Sequence, residues 1–87
     1  MAVVVVLPSL LAAEAGGQKR FELEAATVGD ALRALPVANL LFDERGTLRP
    51  LVNVYVDGTD ARWDGGVAKP LAGGETLRVV QAVAGGK

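Results

Sequence analysis

The sequence predicts an α+β domain with a mixed sheet of four to five strands and one main helix. Three observations support this prediction. A β-branched run fills residues 2–8, a helical apolar stripe spans residues 27–35, and strand-like segments occupy residues 51–56 and 76–83. The 87 residues suffice for one domain with a modest core. Two strands, a helix and then more strands form an order that is typical of α+β domains.

The first two predicted strands form an antiparallel hairpin with a long loop. Residues 2–8, "AVVVVLP", are continuously apolar until a proline stops them, as in a central strand that is buried on both faces. The following segment is expected to be a loop that turns on Gly16-Gly17. Residues 19–25, "KRFELEA", alternate apolar and charged side chains, which indicates a strand with one face in water.

The main helix is predicted to begin after Thr27. Thr27 is a suitable N-cap, and Asp30 stands three residues later, as in a capping box. Pro36 ends or kinks this helix, and a further helical turn is expected around residues 40–42. Four apolar residues recur at the spacing that gives one helical stripe: Val28, Ala31, Leu32 and Leu35.

The C-terminal half is predicted to contain strands and turns. Residues 51–56 alternate so that three valines point the same way, and Asp57-Gly58 is typical of a tight hairpin turn. A short strand is expected at residues 60–63, "DARW", and a loop follows it. The last strand is predicted at "TLRVVQAV", residues 76–83.

The order of these elements favours the β-grasp, or ubiquitin-like, roll. In that fold a hairpin leads into a helix that crosses the sheet, and the first and last strands are parallel neighbours. The two most continuously apolar strands here are the first and the last, as this arrangement requires. A ferredoxin-like domain has a compatible order but needs two helices. We expect a β-grasp domain over residues 1–82 and a flexible C-terminal tail over residues 83–87.

Composition argues against several classes of function. A formal net charge of -1 and the lack of a basic stripe argue against nucleic acid as a partner. The chain has no Cys and no His, so no catalytic residues, metal site or bound cofactor are expected, and the protein is not expected to be an enzyme. The N-terminal apolar run lacks a basic segment and is broken by Pro8, which argues against a signal peptide. No apolar run reaches the roughly 20 residues that span a bilayer, so a cytoplasmic protein without a membrane partner is predicted.

Four Gly-Gly pairs punctuate the chain, and the last pair differs from the others. Gly85-Gly86 has no strand after it, so a frayed terminus is one interpretation. The alternative is a slender thread that carries a terminal carboxylate into the active site of another protein. The other pairs lie between predicted elements, where residues with positive φ form turns: Gly16-Gly17, Gly65-Gly66 and Gly73-Gly74.

With this tail, the whole chain resembles the MoaD/ThiS sulfur carriers, which are ubiquitin-like proteins that end in Gly-Gly. The resemblance is strongest from Leu51 to Gly86, in "LVNVYVDGTDARW", "GGVAKPLAGGETLRVV" and "AVAGG". The segment "TVGDALRAL" also matches the helix of the family. The early "GGQK" and the segment "VNVYVDGTDARW" are most similar to the CysO branch, which supplies sulfide for cysteine synthesis.

The resemblance implies a carrier that catalyses nothing itself. In the family, an E1-like enzyme adenylates the terminal glycine carboxylate with ATP and magnesium, and a sulfur donor then converts it to a thiocarboxylate. The carrier delivers this sulfur to a synthase, for example for molybdopterin, thiamin thiazole or cysteine. By position, Gly86 is the modified residue, Gly85 is its partner in the thread, and Val83 and Ala84 line the tail.

Lys87 departs from the family pattern, because a glycine inside a peptide bond has no free carboxylate to adenylate. Three explanations stay open: a protease such as a metalloprotease trims Lys87, Lys87 is a cloning remnant, or the chain is not a carrier as it stands. We expect the species that can be activated to end at Gly86.

Three apolar residues are candidates for docking of a partner protein: Val80, Leu71 and Trp63. Ubiquitin-like proteins bind activating enzymes through one face of the sheet, which suits Val80 and Leu71, although core packing explains them equally well. An exposed Trp63 would mark a docking patch. We favour the other interpretation, in which Trp63 closes the core beside the short strand. Arg62 and Arg78 are expected on a solvated strand face.

Two other functions are compatible with the sequence. The first is a ubiquitin-like modifier that is joined to target lysines by an isopeptide bond, since the same activated glycine serves both reactions. The second is a β-grasp interaction module whose tail is inert. A thiocarboxylate mass, conjugate ladders and binding by a tail-deleted chain distinguish the three.

Overall fold

A computed structural model of the protein describes residues 2–81, and a five-stranded mixed sheet forms its frame. The strands are β1 (Ala2–Val6), β2 (Arg20–Glu24), β3 (Val52–Val56), β4 (Thr59–Asp60) and β5 (Thr76–Gln81). Their order across the sheet is β2-β1-β5-β3-β4, so that β5 lies in the centre. β1 and β5 run parallel, whereas the other neighbouring strands are antiparallel. The predicted parallel pairing of the first and last strands is confirmed.

Short helical segments connect the strands. They are the α-helices α1 (Ser9–Glu14), α2 (Val28–Arg33) and α3 (Ala38–Leu41), and the 3-10 helices η1 (Ala61–Trp63) and η2 (Gly66–Ala68). The plain loop predicted between the first two strands is wrong, because α1 lies there and buries Leu11 and Ala12. The short strand predicted at "DARW" is also wrong beyond Asp60, because the backbone turns into η1. Within residues 2–81, no helix is long and apolar enough to cross a membrane.

The start of α2 follows the predicted capping. The hydroxyl oxygen of Thr27 accepts a hydrogen bond from the backbone N–H of Asp30 at 3.1 Å, which satisfies one of the free donors of the first turn. Gly29 then allows close packing, because a Cβ there would lie 3.0 Å from the carbonyl oxygen of Val67 in η2. The predicted apolar stripe is buried throughout: Val28, Ala31, Leu32 and Leu35.

A single apolar core lies between the helices and one face of the sheet. The three valines of β3 that were predicted to share a face are buried there, beside the stripe of α2. Every buried residue in the described part of the chain is apolar. The side chains from β1 and β5 that enter the core are Val3, Val5, Leu77 and Val79.

Within residues 2–81, no helix covers the other face of the sheet. Val4 and Val6 of β1 point to this side and are only partly buried, so the prediction that β1 is buried on both faces is wrong. Their neighbours on β2, Arg20 and Glu22, are exposed. The continuous apolar run of β1 therefore supplies the core with one set of valines and an open surface with the other.

The turns of the chain use glycine as predicted. Asp57 has a φ of 49° and Gly58 a φ of 90°, the left-handed conformation that a tight hairpin between β3 and β4 requires. The three internal glycine pairs also have positive φ angles, between 57° and 110°. Gly16-Gly17 and Gly73-Gly74 lie between elements, as the sequence indicated, whereas Gly66 of the third pair begins η2.

Candidate functional site

The residues predicted to carry sulfur lie outside the described part of the chain. These residues are Gly86, Gly85, Ala84, Val83 and Lys87, which together include the whole of the predicted tail, residues 83–87. The structure instead shows what precedes them. β5 is hydrogen-bonded to β1 on one side and to β3 on the other, and Gln81 is paired with Val52. The predicted tail therefore follows directly on the central strand, which has a neighbouring strand on each side.

The face of the sheet opposite the helices presents the strand side chains that do not enter the core; we call it the open face. In its centre, register places Arg78 of β5 between Val6 of β1 and Tyr55 of β3. Val80 follows two residues later and is 38% exposed, although its neighbour Val79 is buried. An apolar strip with one cation in its centre thus leads toward the end of β5.

Two shallow depressions indent the open face, and Arg78 and Val80 line both of them. The first is lined by Tyr55, Asp57, Gly58, Thr76, Arg78 and Val80. The second lies at the end of β5 and is lined by Val6, Leu7, Pro8, Ser9, Lys19, Arg78, Val79, Val80 and Gln81. Because the second depression includes Gln81, a partner seated on this face would also contact the start of the segment that leads to the Gly-Gly pair.

Positive charge predominates around these depressions. Arg78 makes no ion pair with any residue between 2 and 81. Lys19 adds a second cation at the end of β5, and the one acid in either lining is Asp57. The carboxylate of Asp57 already accepts a hydrogen bond from the backbone N–H of Thr76 at 3.0 Å. The open face is therefore suited to a partner surface that combines apolar groups with carboxylates.

The turn before β5 is organised by one carboxylate. Glu75 accepts hydrogen bonds from the backbone N–H groups of Ala72, at 2.8 Å, and Gly73, at 2.7 Å. The bond from Ala72, followed by that from Gly73, lowers the pKa of Glu75 because both bonds favour the charged form. Together with the bond from Thr76 to Asp57, this contact fixes where β5 begins and hence the direction in which it ends.

The interpretation that Trp63 closes the core is wrong. Its side chain is 82% exposed at the end of η1, and Ala61 is the residue of that turn that enters the core. Trp63 thus retains its predicted role as a docking candidate, but it does not line either depression of the open face.

Leu71 lies on the helical side of the molecule. Its backbone N–H donates to the carbonyl oxygen of Ala26 at 2.8 Å, beside the start of α2, and its side chain packs against the core. The interpretation in which Leu71 and Val80 form one surface patch is therefore wrong. Sequence reasoning did not single out Tyr55, although its alternation with the core valines of β3 gives its orientation. Arg78 is exposed on β5, as predicted.

Arg62 differs from the solvated strand residue that was expected. It lies in η1, and its guanidinium forms an ion pair with Asp60 at 3.0 Å. The hydrogen bond from the Arg62 side chain lowers the pKa of Asp60, and the same bond raises the pKa of Arg62. Between residues 2 and 81 there is no group of three acidic side chains that could hold a metal ion.

Comparison with known proteins places the chain among small carriers. The model of the ThiS family matches residues 5–86. The sulfur carrier protein CysO of Mycobacterium tuberculosis H37Rv is 34% identical over 93 residues, which cover 99% of this chain and 100% of the relative. The crystal structure of M. tuberculosis CysO superposes with a TM-score of 0.82 at 32% identity, covering 93% of this chain and 99% of the other.

Two further solved structures are similar over nearly the whole chain. CysO in the BexX/CysO complex of Amycolatopsis orientalis has a TM-score of 0.81 at 34% identity, covering 98% of this chain and 100% of its own. SAMP1 of Haloferax volcanii, a small archaeal modifier protein, has a TM-score of 0.81 at 30% identity, covering 99% and 100%. These proteins have the ubiquitin-like β-grasp fold, which confirms the fold predicted from the order of elements.

Proposed function

The chain belongs to the ThiS family, and we propose that it is a sulfur carrier whose Gly86 carboxylate is adenylated and converted to a thiocarboxylate. The observation that carries this proposal is the family match, which extends through Gly86 and stops before Lys87. Similarity to CysO over the full chain supports the same role. In this proposal the chain is not an enzyme; it supplies an acyl group and a docking face, and it acts in the cytoplasm.

The proposed activation takes place in the active site of an E1-like partner. The Gly86 carboxylate attacks the α-phosphate of ATP, pyrophosphate leaves, and the carrier then ends in an acyl adenylate. A donor at the oxidation level of sulfide attacks the acyl carbon, so that a C–S bond forms as the C–O bond to AMP breaks. ATP and magnesium are bound by the partner, and no cofactor is assigned to the carrier.

The composition of the tail suits this chemistry. Gly85 and Gly86 have no Cβ, and Ala84 and Val83 are small, so this segment has the least bulky side chains available to a thread that enters a narrow active site. The five residues after Gln81 reach at most about 17 Å when fully extended. The reacting phosphate must therefore come within that distance of the end of β5.

This short reach favours docking of the activating enzyme on the open face. We place its contact on Val80, Arg78 and Tyr55, which lie on the two strands at the centre of the sheet. The synthase that accepts the sulfur must reach the same tail. The two partners therefore bind in turn rather than together.

The central experiment compares the intact chain with a chain that ends at Gly86. Each is incubated with an E1-like adenylating enzyme, ATP, magnesium and sulfide, and its mass is measured. We expect the truncated chain to gain the mass difference of one oxygen replaced by sulfur, and the chain with Lys87 to stay unchanged until a protease removes that residue. A third chain that ends at Ala84 controls for activation of any terminus. Efficient thiocarboxylation of the chain that retains Lys87 would refute this assignment of Gly86.

The likeness to SAMP1, a small archaeal modifier protein, favours a second candidate function. In that alternative the activated Gly86 is joined to lysines of other proteins. Expression of the tagged chain in its native host separates the two functions. A ladder of larger conjugates that resists thiol reagents indicates a modifier, whereas a single species with a thiocarboxylate mass indicates a carrier.

For the destination of the sulfur, we propose cysteine synthesis, because the chain is 34% identical to CysO over 99% of its length and resembles the branch that supplies sulfide for that synthesis. The test presents the thiocarboxylate form of the protein to a cysteine synthase, a molybdopterin synthase large subunit and a thiazole synthase. Sulfur transfer to the cysteine synthase alone supports the proposal. Transfer only to one of the other two enzymes overturns it and leaves the carrier function intact.

A further inference from the structure

A second exposed surface lies at the β4 edge of the sheet, where Asp60, Arg62 and Trp63 contact one another in a row. Asp60 Oδ1 accepts a hydrogen bond from the backbone N–H of Arg62 at 2.9 Å, and Asp60 Oδ2 accepts one from the guanidinium at 3.0 Å. The Arg62 guanidinium lies 5.8 Å from the centre of the Trp63 ring. These contacts hold an arginine beside an indole that is 82% exposed. An aromatic side chain held in this way loses little conformational entropy when a partner covers it.

An apolar groove adjoins this row of residues. Its lining consists of Gly46, Thr47, Leu48, Arg49, Pro50, Val52, Arg62 and Val67. Arg62 connects the two features, because it lines the groove and also contacts Trp63. We call the groove and Trp63 together the edge groove.

The charge of the edge groove indicates what it would bind. Arg49 and Arg62 are the charged residues of its lining, and the lining contains no acid. Arg62 is paired with Asp60, whereas Arg49 is exposed and makes no ion pair with residues 2–81. An apolar depression with one unpaired arginine complements an aliphatic side chain that is followed or preceded by a carboxylate.

The edge groove is separate from the open face. It shares no lining residue with either depression around Arg78 and Val80. Arg49 and Leu48 belong to the connection between α3 and β3, whereas the open face is formed by β1, β3 and β5. A partner on the edge groove therefore leaves Val80 and the end of β5 uncovered.

We propose that the edge groove is a second protein-docking surface, which binds an acidic segment of a partner protein through an aliphatic side chain and a carboxylate. The aliphatic side chain occupies the space between Leu48, Pro50 and Val67. The carboxylate pairs with Arg49, and Trp63 covers the segment from the side. Binding at the edge groove does not involve the C-terminal glycines. A partner can therefore bind there while the tail is held by another protein, and it can also bind a chain whose tail is inert.

The test uses Trp63 as its own reporter, because it is the only tryptophan in the chain. A synthetic peptide of leucine residues flanked by glutamates is titrated against the full chain, with a leucine–lysine peptide of the same length as control. We expect a saturable change in Trp63 fluorescence with the acidic peptide alone. In ¹⁵N-labelled protein, the amide signals of residues 46–49 and 62–67 should shift, and by more than those of residues 76–80.

Matched charge reversals complete the test. Arg49→Glu is expected to lower the affinity for the acidic peptide by at least about tenfold, and Arg20→Glu, at an exposed arginine of β2, to leave that affinity unchanged. Circular dichroism and thermal unfolding confirm that both variants remain folded. Equal loss in both variants, shifts confined to the open face, or no saturable binding would overturn the proposal. Concentration-dependent dimerisation in sedimentation, with Trp63 buried in the dimer, would overturn it too, because the occupant would then be a second copy.

Discussion

The two faces of the sheet receive alternate side chains of the same strands and differ in how far those side chains are buried. Val79 and Val80 are consecutive residues of β5, yet Val79 is 1% exposed and Val80 is 38% exposed. On the inner face, valines and leucines from β1, β3 and β5 meet the apolar stripe of α2. On the open face, Tyr55 and Val80 flank Arg78 with no layer above them.

Successive residues of a strand face opposite sides of the sheet, so alternate side chains of one strand lie in different environments. A side chain on the inner face is surrounded by other apolar groups, so its removal costs transfer free energy and leaves a cavity. A side chain on the open face is already in contact with water, so its replacement changes the stability of the fold little. The fold and the docking of a partner can therefore be disturbed independently, and each prediction below tests that independence.

The largest effect is expected for Leu77→Ala. Leu77 is fully buried on the inner face of β5, opposite Val5 of β1 and Val56 of β3. Its truncation should lower the free energy of unfolding by about 2–5 kcal/mol, as for other buried leucines. Chemical denaturation monitored by circular dichroism measures the change.

The matched control is Val80→Ala on the opposite face of the same strand. We expect it to change the free energy of unfolding by less than about 0.5 kcal/mol. If both substitutions destabilise the protein equally, the open face is covered in solution and the contrast between the two faces fails.

The next largest effect is expected for Val80→Glu in the activation reaction. A carboxylate in the apolar strip opposes a partner whose own carboxylates face Arg78, so kcat/KM for thiocarboxylation should fall by at least about tenfold. The measurement is the rate at which the chain that ends at Gly86 gains a thiocarboxylate.

Asn39→Glu provides the control, because it adds the same charge at an exposed position of α3 on the helical side. It should leave the rate unchanged. An unchanged rate for Val80→Glu would show that the activating enzyme does not dock on the open face.

Much of the fold followed from local patterns in the sequence. Alternation placed the three valines of β3 on one face, and Thr27 with Asp30 located the start of α2. Asp57-Gly58 identified the hairpin turn because its backbone needs positive φ angles. Each of these features depends on residues that are close together in the chain, so the local sequence contained the necessary information.

The sequence did not predict features that depend on distant contacts. The helix α1 has no side-chain cap, and its burial comes from packing of Leu11 and Ala12 against the core. In η1, Ala61 is buried and Trp63 is exposed, which no local pattern reveals. The edge groove likewise arises from residues 46–52 meeting η1 and η2, so its arginines are adjacent only in the folded chain.

A smaller effect is expected where the layer over the inner face begins. Thr27→Ala removes the oxygen that accepts the hydrogen bond from Asp30 and should cost about 1 kcal/mol of stability. Thr27→Ser keeps that oxygen and should restore most of the loss. Denaturation of the three proteins under one set of conditions measures the difference. If Thr27→Ser is as unstable as Thr27→Ala, the methyl group of Thr27 matters and the cap does not.

The smallest effect concerns the turn that leads into β5 and thereby supports both faces. The hydrogen bonds from Ala72 and Gly73 lower the pKa of Glu75 in the folded protein below its value in the unfolded chain. A carboxyl group with a lowered folded pKa stabilises the fold above its unfolded pKa, and that contribution disappears as the pH falls through the folded pKa. Glu75→Gln should therefore lose stability at neutral pH and differ less from the native chain in acid.

The measurement follows the unfolding midpoint of both proteins from neutral pH down to about pH 3, below the ordinary pKa of glutamate. Glu44→Gln, at an exposed position in the turn after α3, controls for the loss of one negative charge. Only the Glu75 variant should show a stability difference that shrinks with acid, because the carboxylate of Glu75 accepts two backbone hydrogen bonds, whereas that of Glu44 accepts none from residues 2–81. A difference that stays constant across this range would mean that the turn is held by its shape and not by the charge of Glu75.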